Sequence, residues 1–161
     1  MRGARVGIGF DFHSFDTERP LILGGAHIPH DRGLSGHSDA DVLLHAVADA
    51  LLGAAGMSDI GSYFPDTDDC WEGVSSLLLL EKVERLVRGR EWRLANLDSV
   101  IIAEEPLMRP HIPAMRANIA RTLRVEPARI GIKATTMEKR GVVGRAEGIA
   151  AQAVVLLEPV P

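Results

Sequence analysis

The 161-residue sequence predicts an α+β fold, a single mixed β-sheet with helices packed on one face. Three observations predict it. Strand-like apolar runs fall near both ends of the chain and in its middle, and segments between them carry helical spacing. The elements read β-β-α-α-β-α-β-β rather than as a regular strand–helix alternation. No linker, repeat or low-complexity tract interrupts them, so residues 1–161 are expected to form one domain with a real core.

The first strand is expected over residues 6–15, interrupted by glycines, and a second over 21–28, containing Gly24 and Gly25. A polar turn over 29–36 leads to Ser38, the expected N-cap of a helix over 40–55, with Asp39 and Asp41 in its first turn, where acidic side chains complement the helix dipole. Residues 59–69 are rich in Gly, Pro and Asp and read as an irregular loop, long enough to suggest a function. A second helix is expected over 76–90, with leucines and valines on one side and charges on the other. Residues 92–103 read as a strand, 113–124 as a third helix, and 130–136 and 149–157 as strands joined by a glycine-rich loop. The last strand is apolar at nearly every position, so burial on both faces is expected, and a subunit interface is one way to achieve it.

The bulk numbers exclude several classes. Charged residues make up 25% and the net charge is −4, so no basic patch points to nucleic acid. Aromatic residues are only 4%, too few for a base-stacking platform. No apolar run approaches a membrane span and no signal peptide is evident. The lone Cys70 allows neither an internal disulfide nor a cysteine-rich zinc site, which suits a reducing, cytoplasmic setting.

Chemistry-bearing residues cluster in a few segments. Asp11 and His13 are two apart, so on a strand they share a face. His37, Asp41 and His45 are four apart, each step about 6 Å along a helix axis. Asp11, His13 and His45 offer one carboxylate and two imidazoles, a three-ligand set that leaves a tetrahedral zinc ion one open position, the pattern of a catalytic site. Spacing alone leaves open which of these residues ligate; Asp41 is expected to orient the His45 imidazole. The loop carrying Asp59, Ile60 and Gly61, then Phe64, Pro65, Asp66, Thr67 and Asp68, supplies carboxylates for hydroxyls or a metal, without an EF-hand pattern. The strand end Lys133-Ala134-Thr135-Thr136-Met137-Glu138-Lys139 offers hydroxyls for phosphate and a carboxylate for a hard cation. Arg145, between glycines, is an anion grip or a charged turn.

Taken together and in order, these segments resemble the 2-C-methyl-D-erythritol 2,4-cyclodiphosphate synthase family. The matching stretches are Gly9-Phe10-Asp11-Phe12-His13, Gly36 to Asp41 with His45, Asp59-Ile60-Gly61, Phe64 to Asp68, Pro110-His111-Ile112, Lys133 to Thr136 with Glu138-Lys139, and Gly144-Arg145 with Glu147-Gly148. The resemblance implies a phosphorus–oxygen lyase of the non-mevalonate (MEP) isoprenoid pathway. Its substrate is 4-diphosphocytidyl-2-C-methyl-D-erythritol 2-phosphate, which is cyclised with release of CMP. It implies Zn²⁺ on Asp11, His13 and His45, and Mg²⁺ or Mn²⁺ on Glu138. It assigns transition-state stabilisation to His37 and Thr136. Ser38 would help hold the 2-phosphate, and Asp59, with Ile60 and Gly61, the methylerythritol hydroxyls. The cytosine pocket would run through Ala103, Glu104, Glu105, Pro106, Leu107, Met108 and Arg109 with Thr135 and Thr136, and Met137 would also bind substrate.

The resemblance further implies a homotrimer with its sheets toward the threefold axis and active sites between subunits. Near that axis, Val142 and Arg145 would border a channel able to hold an isoprenoid diphosphate. The implied setting is cytoplasmic, or the plastid stroma in a plant. Leu107, Val142 and Ala146 depart from the residues usual in the family, which are lysine, phenylalanine and glycine. A metal-dependent hydrolase and a non-catalytic nucleotide sensor are the competing readings. The first lacks an H-E-x-x-H motif, and the second leaves the open metal position without a purpose.

Overall fold

The computed structural model describes residues 3–160. Its strands are β1 (Arg5–Asp16), β2 (Leu21–Leu23), β3 (Ala26–Ile28), β4 (Gly33–Leu34), β5 (Trp92–Ile102), β6 (Ile130–Thr135) and β7 (Gly148–Pro159). Its helices are α1 (Val42–Ala54), α2 (Ile60–Tyr63), α3 (Ser76–Gly89), α4 (Ile112–Leu123) and α5 (Gly141–Gly144). The main sheet runs β4-β1-β7-β5-β6. β5 and β6 are parallel, and the other neighbours antiparallel. This is the mixed sheet the sequence predicts.

Residues 21–28 are not one strand. Gly24 and Gly25 adopt φ of +57° and +68°, so the chain reverses there and β2 pairs back on β3 as a separate hairpin. The loop after α1 is also less irregular than expected, holding α2 and a 3₁₀ turn at Asp69–Trp71.

The packing of α1 on β1 sets the whole arrangement. Gly7 and Gly9 lie on the helix-facing side of β1. A Cβ at Gly9 would lie 1.9 Å from the Ala46 carbonyl oxygen, and one at Gly7 2.0 Å from that of Ala50. Glycine on the strand and alanine on the helix therefore let two backbones touch. Asp11 and His13 continue the same face of β1, so they meet the N-terminal end of the same helix. Around this contact, Leu43, Leu44, Val47 and Leu51 join Ile101, Leu97, Ile149 and Val155 in the core. Each such fully buried aliphatic side chain contributes about 1.5–3 kcal/mol.

The other sheet face is uncovered in the single chain. The expectation that the last strand is buried on both faces is therefore not met within the chain. Ala151, Ala153, Val155 and Leu157 are buried, whereas Val154 and Leu156 are 43% and 37% exposed. Beside them on β1, Val6, Ile8 and Phe10 are 59–69% exposed, forming a continuous apolar stripe. The apolar run is real, but within one chain helices cover only alternate residues of β7.

Gly9→Ala is expected to destabilise the protein by about 2–3 kcal/mol, because the new methyl meets main chain that cannot rotate away. The midpoint of urea unfolding measures this. An unchanged midpoint would mean that α1 and β1 can separate freely.

Candidate metal centre and its neighbouring recess

β1 presents Asp11 and His13, and the first turn of α1 presents His45. His13 Nε2 lies 2.9 Å from Asp11 Oδ2 and 3.1 Å from His45 Nδ1, and His45 Nδ1 lies 3.0 Å from Asp11 Oδ2. The three atoms form a nearly equilateral triangle. Tetrahedral zinc with bonds of about 2.0–2.1 Å spaces its ligand atoms about 3.3 Å apart, so the set fits a divalent ion with little adjustment. Among the described residues this is the one His/Asp/Glu/Cys cluster tight enough to do so.

The ring orientations are fixed from behind. His13 Nδ1 lies 2.6 Å from the Ser35 carbonyl oxygen, which can only accept, so the proton sits on Nδ1 and Nε2 faces the cluster. Gly36 leaves room for that ring, since a Cβ there would lie 3.1 Å from His13 Cε1. His45 turns Nε2 toward the Ser38 and Ser76 hydroxyls, each 3.1 Å away. Burial alone would raise the Asp11 carboxyl, but hydrogen bonds and charge from His13 and His45 hold it well below the usual carboxylate range. Burial lowers His13, and the Asp11 carboxylate more than offsets this, leaving the imidazole above its ordinary value.

Two expectations about α1 are corrected. Its N-cap is Asp41, not Ser38: the Asp41 carboxylate accepts the Leu44 N–H at 3.1 Å. Asp41 also does not orient His45. It is fully buried and turned away, accepting the Gly24 and Gly25 N–H groups at 3.0 and 2.7 Å. It thereby clasps the β2–β3 hairpin to the helix. Burial pushes its carboxyl up to about 6, against those backbone bonds. An N-cap has extended backbone, so the four-residue spacing to His45 does not place the two side chains together.

A recess of about 260 Å³ opens over the cluster, lined by His13, Gly36, His37, Ser38, His45, Ile60, Gly61, Phe64, Asp66, Trp71 and Leu79. Arg19 shapes its rim by donating to the carbonyls of Gly36 and Ser38. Asp59 caps α2, and the Ser62 N–H and hydroxyl hold its carboxyl below the usual range. Asp49 ties α2 back to α1 by accepting the Ile60 N–H at 2.7 Å. Phe64 packs edge-on to Trp71 at 5.0 Å. Pro65, Thr67 and Asp68 belong to the same loop but not to the recess wall; Asp68 caps the following turn through the Cys70 N–H.

The remaining candidates gather elsewhere on the chain. A recess of about 380 Å³ is lined by Ala103, Glu104, Pro106, Leu107, Met108, Arg109, Ile112, Ala134, Thr135 and Thr136. Glu105 is not in its wall; it pairs with Arg32 at 2.5 Å. Glu104 Oε2 accepts the N–H groups of Met137 and Lys139 at 3.4 Å, bracing the turn that carries Glu138. Glu138 is exposed, with Thr136 Oγ1 3.5 Å from its carboxylate. The expected glycine-rich loop holds the helical turn α5, with Val142 inside it and Arg145 at its C-terminal end, where Arg145 pairs with Glu147 at 2.6 Å. Ala146 there has φ +56°, a left-handed conformation that costs alanine on the order of 1 kcal/mol more than glycine.

A recess of about 500 Å³ lies at the other end of the sheet. It is lined by Arg88, Arg93, Arg121, Arg124 and Arg129 with Glu126 and Glu158. Arg88 and Arg121 stand on the last turns of α3 and α4, where cations complement the helix dipole, and Arg93 pairs with Glu158.

Sequence reasoning missed Ser76, Asp49 and Arg19. Ser76 follows the Ser75 N-cap of α3 and reads as helix start; its contact with His45 joins residues 31 apart.

The YgbB family model matches residues 4–158. A 2-C-methyl-D-erythritol 2,4-cyclodiphosphate synthase of Nostoc sp. is 58% identical over 153 residues, covering 95% of this chain and 93% of the relative. A synthase of the same name from Synechococcus elongatus is 58% identical, covering 98% of both chains. Among solved structures, IspF of Plasmodium falciparum in complex with CDP superposes with a TM-score of 0.87 at 32% identity, covering 100% of this chain and 99% of that one.

Metal loading is expected to weaken as pH falls. His13 must give up its proton to ligate through Nε2, and its pKa lies above 6.5, so the loss begins above pH 6.5 and steepens to about tenfold per pH unit below that pKa. Competition with a chromophoric chelator across pH 5.5–8 measures it, and a flat profile would contradict ligation by His13.

Proposed function

The chain belongs to the YgbB family, and we propose that it converts 4-diphosphocytidyl-2-C-methyl-D-erythritol 2-phosphate to 2-C-methyl-D-erythritol 2,4-cyclodiphosphate and CMP. The observation that carries this reading is the Asp11–His13–His45 triangle opening into a recess with His37 and Ser38 on its wall. The nucleophile is an oxygen of the substrate's own 2-phosphate. It forms a bond to the β-phosphorus as the bond from that phosphorus to the oxygen bridging the two phosphates breaks, and that oxygen leaves with CMP. No activated side chain is needed; the protein folds the substrate for in-line attack and spreads the developing charge.

Asp11, His13 and His45 would hold Zn²⁺, and Glu138 a second ion, Mg²⁺ or Mn²⁺. Such ions would supply Lewis acidity and positive charge for the diphosphate. His37 and Ser38 hold the 2-phosphate. Asp59, Ile60 and Gly61 position the methylerythritol, and Phe64, Pro65, Asp66, Thr67 and Asp68 on the adjoining loop complete the substrate-binding set. Thr136 donates to the diphosphate, Thr135, Met137 and the segment Ala103 to Arg109 take the cytidine, and Leu107 brings no cation to the α-phosphate.

The two recesses belong to different halves of one site, completed between neighbouring subunits of a homotrimer. The exposed stripe of Val6, Ile8, Phe10, Val154 and Leu156 supports this, because a monomer rarely leaves such a patch bare. Val142 and Arg145 face the channel at the axis, which takes an isoprenoid diphosphate. The proposed setting is the cytoplasm, or the plastid stroma in a plant. No helix among the described residues is long and apolar enough to cross a membrane.

Asp11→Asn is expected to lower turnover by at least roughly 10²–10³-fold, the range typical of losing one electrostatic contributor at a developing charge. Release of CMP measures this, and near-normal turnover would reject the metal reading. The shared site is tested by subunit mixing. Asp11→Asn and Thr136→Ala proteins, each inactive, should regain about a quarter of wild-type activity when reassembled together. No recovery would place each site within one chain.

A further inference from the structure

His45 directs Nδ1 at Asp11 and His13, so its tautomer is set by what faces Nε2. A neutral imidazole that ligates through Nδ1 keeps its proton on Nε2, and that proton needs an acceptor. Two hydroxyls stand 3.1 Å away, those of Ser38 and Ser76, with 3.4 Å between them.

The two serines are not equivalent. Ser76 Oγ also contacts Asp39 Oδ1, and a carboxylate oxygen only accepts, so the single Ser76 proton is committed to Asp39. What Ser76 turns to His45 is a lone pair. Asp39 is itself held in place: Oδ2 accepts the Ser76 N–H at 3.0 Å, Oδ1 accepts the Asp41 N–H at 3.3 Å, and its own N–H donates to the Val74 carbonyl. Ser76 is 1% exposed, so no water competes for its hydroxyl. Ser38 is arranged the other way. Its Oγ accepts the Ala40 N–H at 3.2 Å, and Ser38 forms part of the recess wall.

We propose that Ser76 and Asp39 are a positioning pair for His45: Asp39 orients the Ser76 hydroxyl, and Ser76 accepts the Nε2 proton. This fixes the Nδ1-ligating tautomer and leaves the Ser38 proton for an oxygen of a bound phosphoryl group. Asp39, rather than the expected Asp41, stands behind His45 through Ser76. The proposal rests on the metal reading above, and its test separates the two.

Apoprotein is titrated with Zn²⁺ in competition with a chromophoric chelator, using the wild type, Ser76→Ala and Ser38→Ala, with a urea unfolding midpoint for each. Ser76→Ala keeps the Asp39 bond to its N–H and loses only the hydroxyl. Its zinc affinity is expected to fall roughly 10–100-fold, the usual effect of removing a group behind a metal-ligating histidine, while Ser38→Ala stays within about threefold of wild type. Equal affinities for wild type and Ser76→Ala, or a larger loss in Ser38→Ala, would overturn the proposal and leave the metal site standing. Failure of the wild type to bind one ion per chain would overturn both.

Discussion

The contact between α1 and β1 is the constraint on which the rest depends. Gly7 and Gly9 give the strand no side chain where Ala46, Ala50 and Ala54 give the helix almost none. The two backbones therefore approach to a distance that any Cβ on the strand would forbid. That approach brings His45, on the first turn of the helix, to Asp11 and His13, the next two residues on the same strand face. Core packing and metal geometry are thus one feature, because the strand that closes the core also carries two of the three ligand candidates.

Around this contact the chain fixes each candidate ligand from behind. The Ser35 carbonyl holds one imidazole, the serine pair faces the other, and both imidazoles hold the carboxylate ionised. Asp41 does structural work nearby, joining the hairpin to the helix start and so steadying the segment that bears His37 and Ser38. The second recess is built independently, where β5 and β6 end side by side and deliver Ala103 and Thr135. The two recesses lie apart on the chain, and the apolar face of the sheet is bare within it.

Much of this was legible in the sequence, for physical reasons that differ by element. Asp11 and His13 were readable because side chains on a strand alternate strictly, so two apart means one face. His45 was readable because it lies inside a helix with clear apolar spacing. Asp41 was misread because it precedes the first helical residue, where extended backbone sends the side chain elsewhere. The hairpin at Gly24-Gly25 was read as a continuous strand because its short arms look like one apolar run. Ser76 was invisible, since serine at a helix start already has a local explanation and its partner is remote in the chain. The bare sheet face coincides with the apolar last strand, whose Val154 and Leu156 are left exposed within the chain.

The most direct measurement is phosphorus NMR of purified protein with 4-diphosphocytidyl-2-C-methyl-D-erythritol 2-phosphate, Zn²⁺ and Mg²⁺, repeated after chelation. Equal amounts of CMP and a cyclic diphosphate are expected, abolished by the chelator and restored by added metal. CMP accompanied only by linear phosphates would contradict the proposed function, because water rather than the substrate's own phosphate would then be the nucleophile. So would cyclisation that persists undiminished without metal.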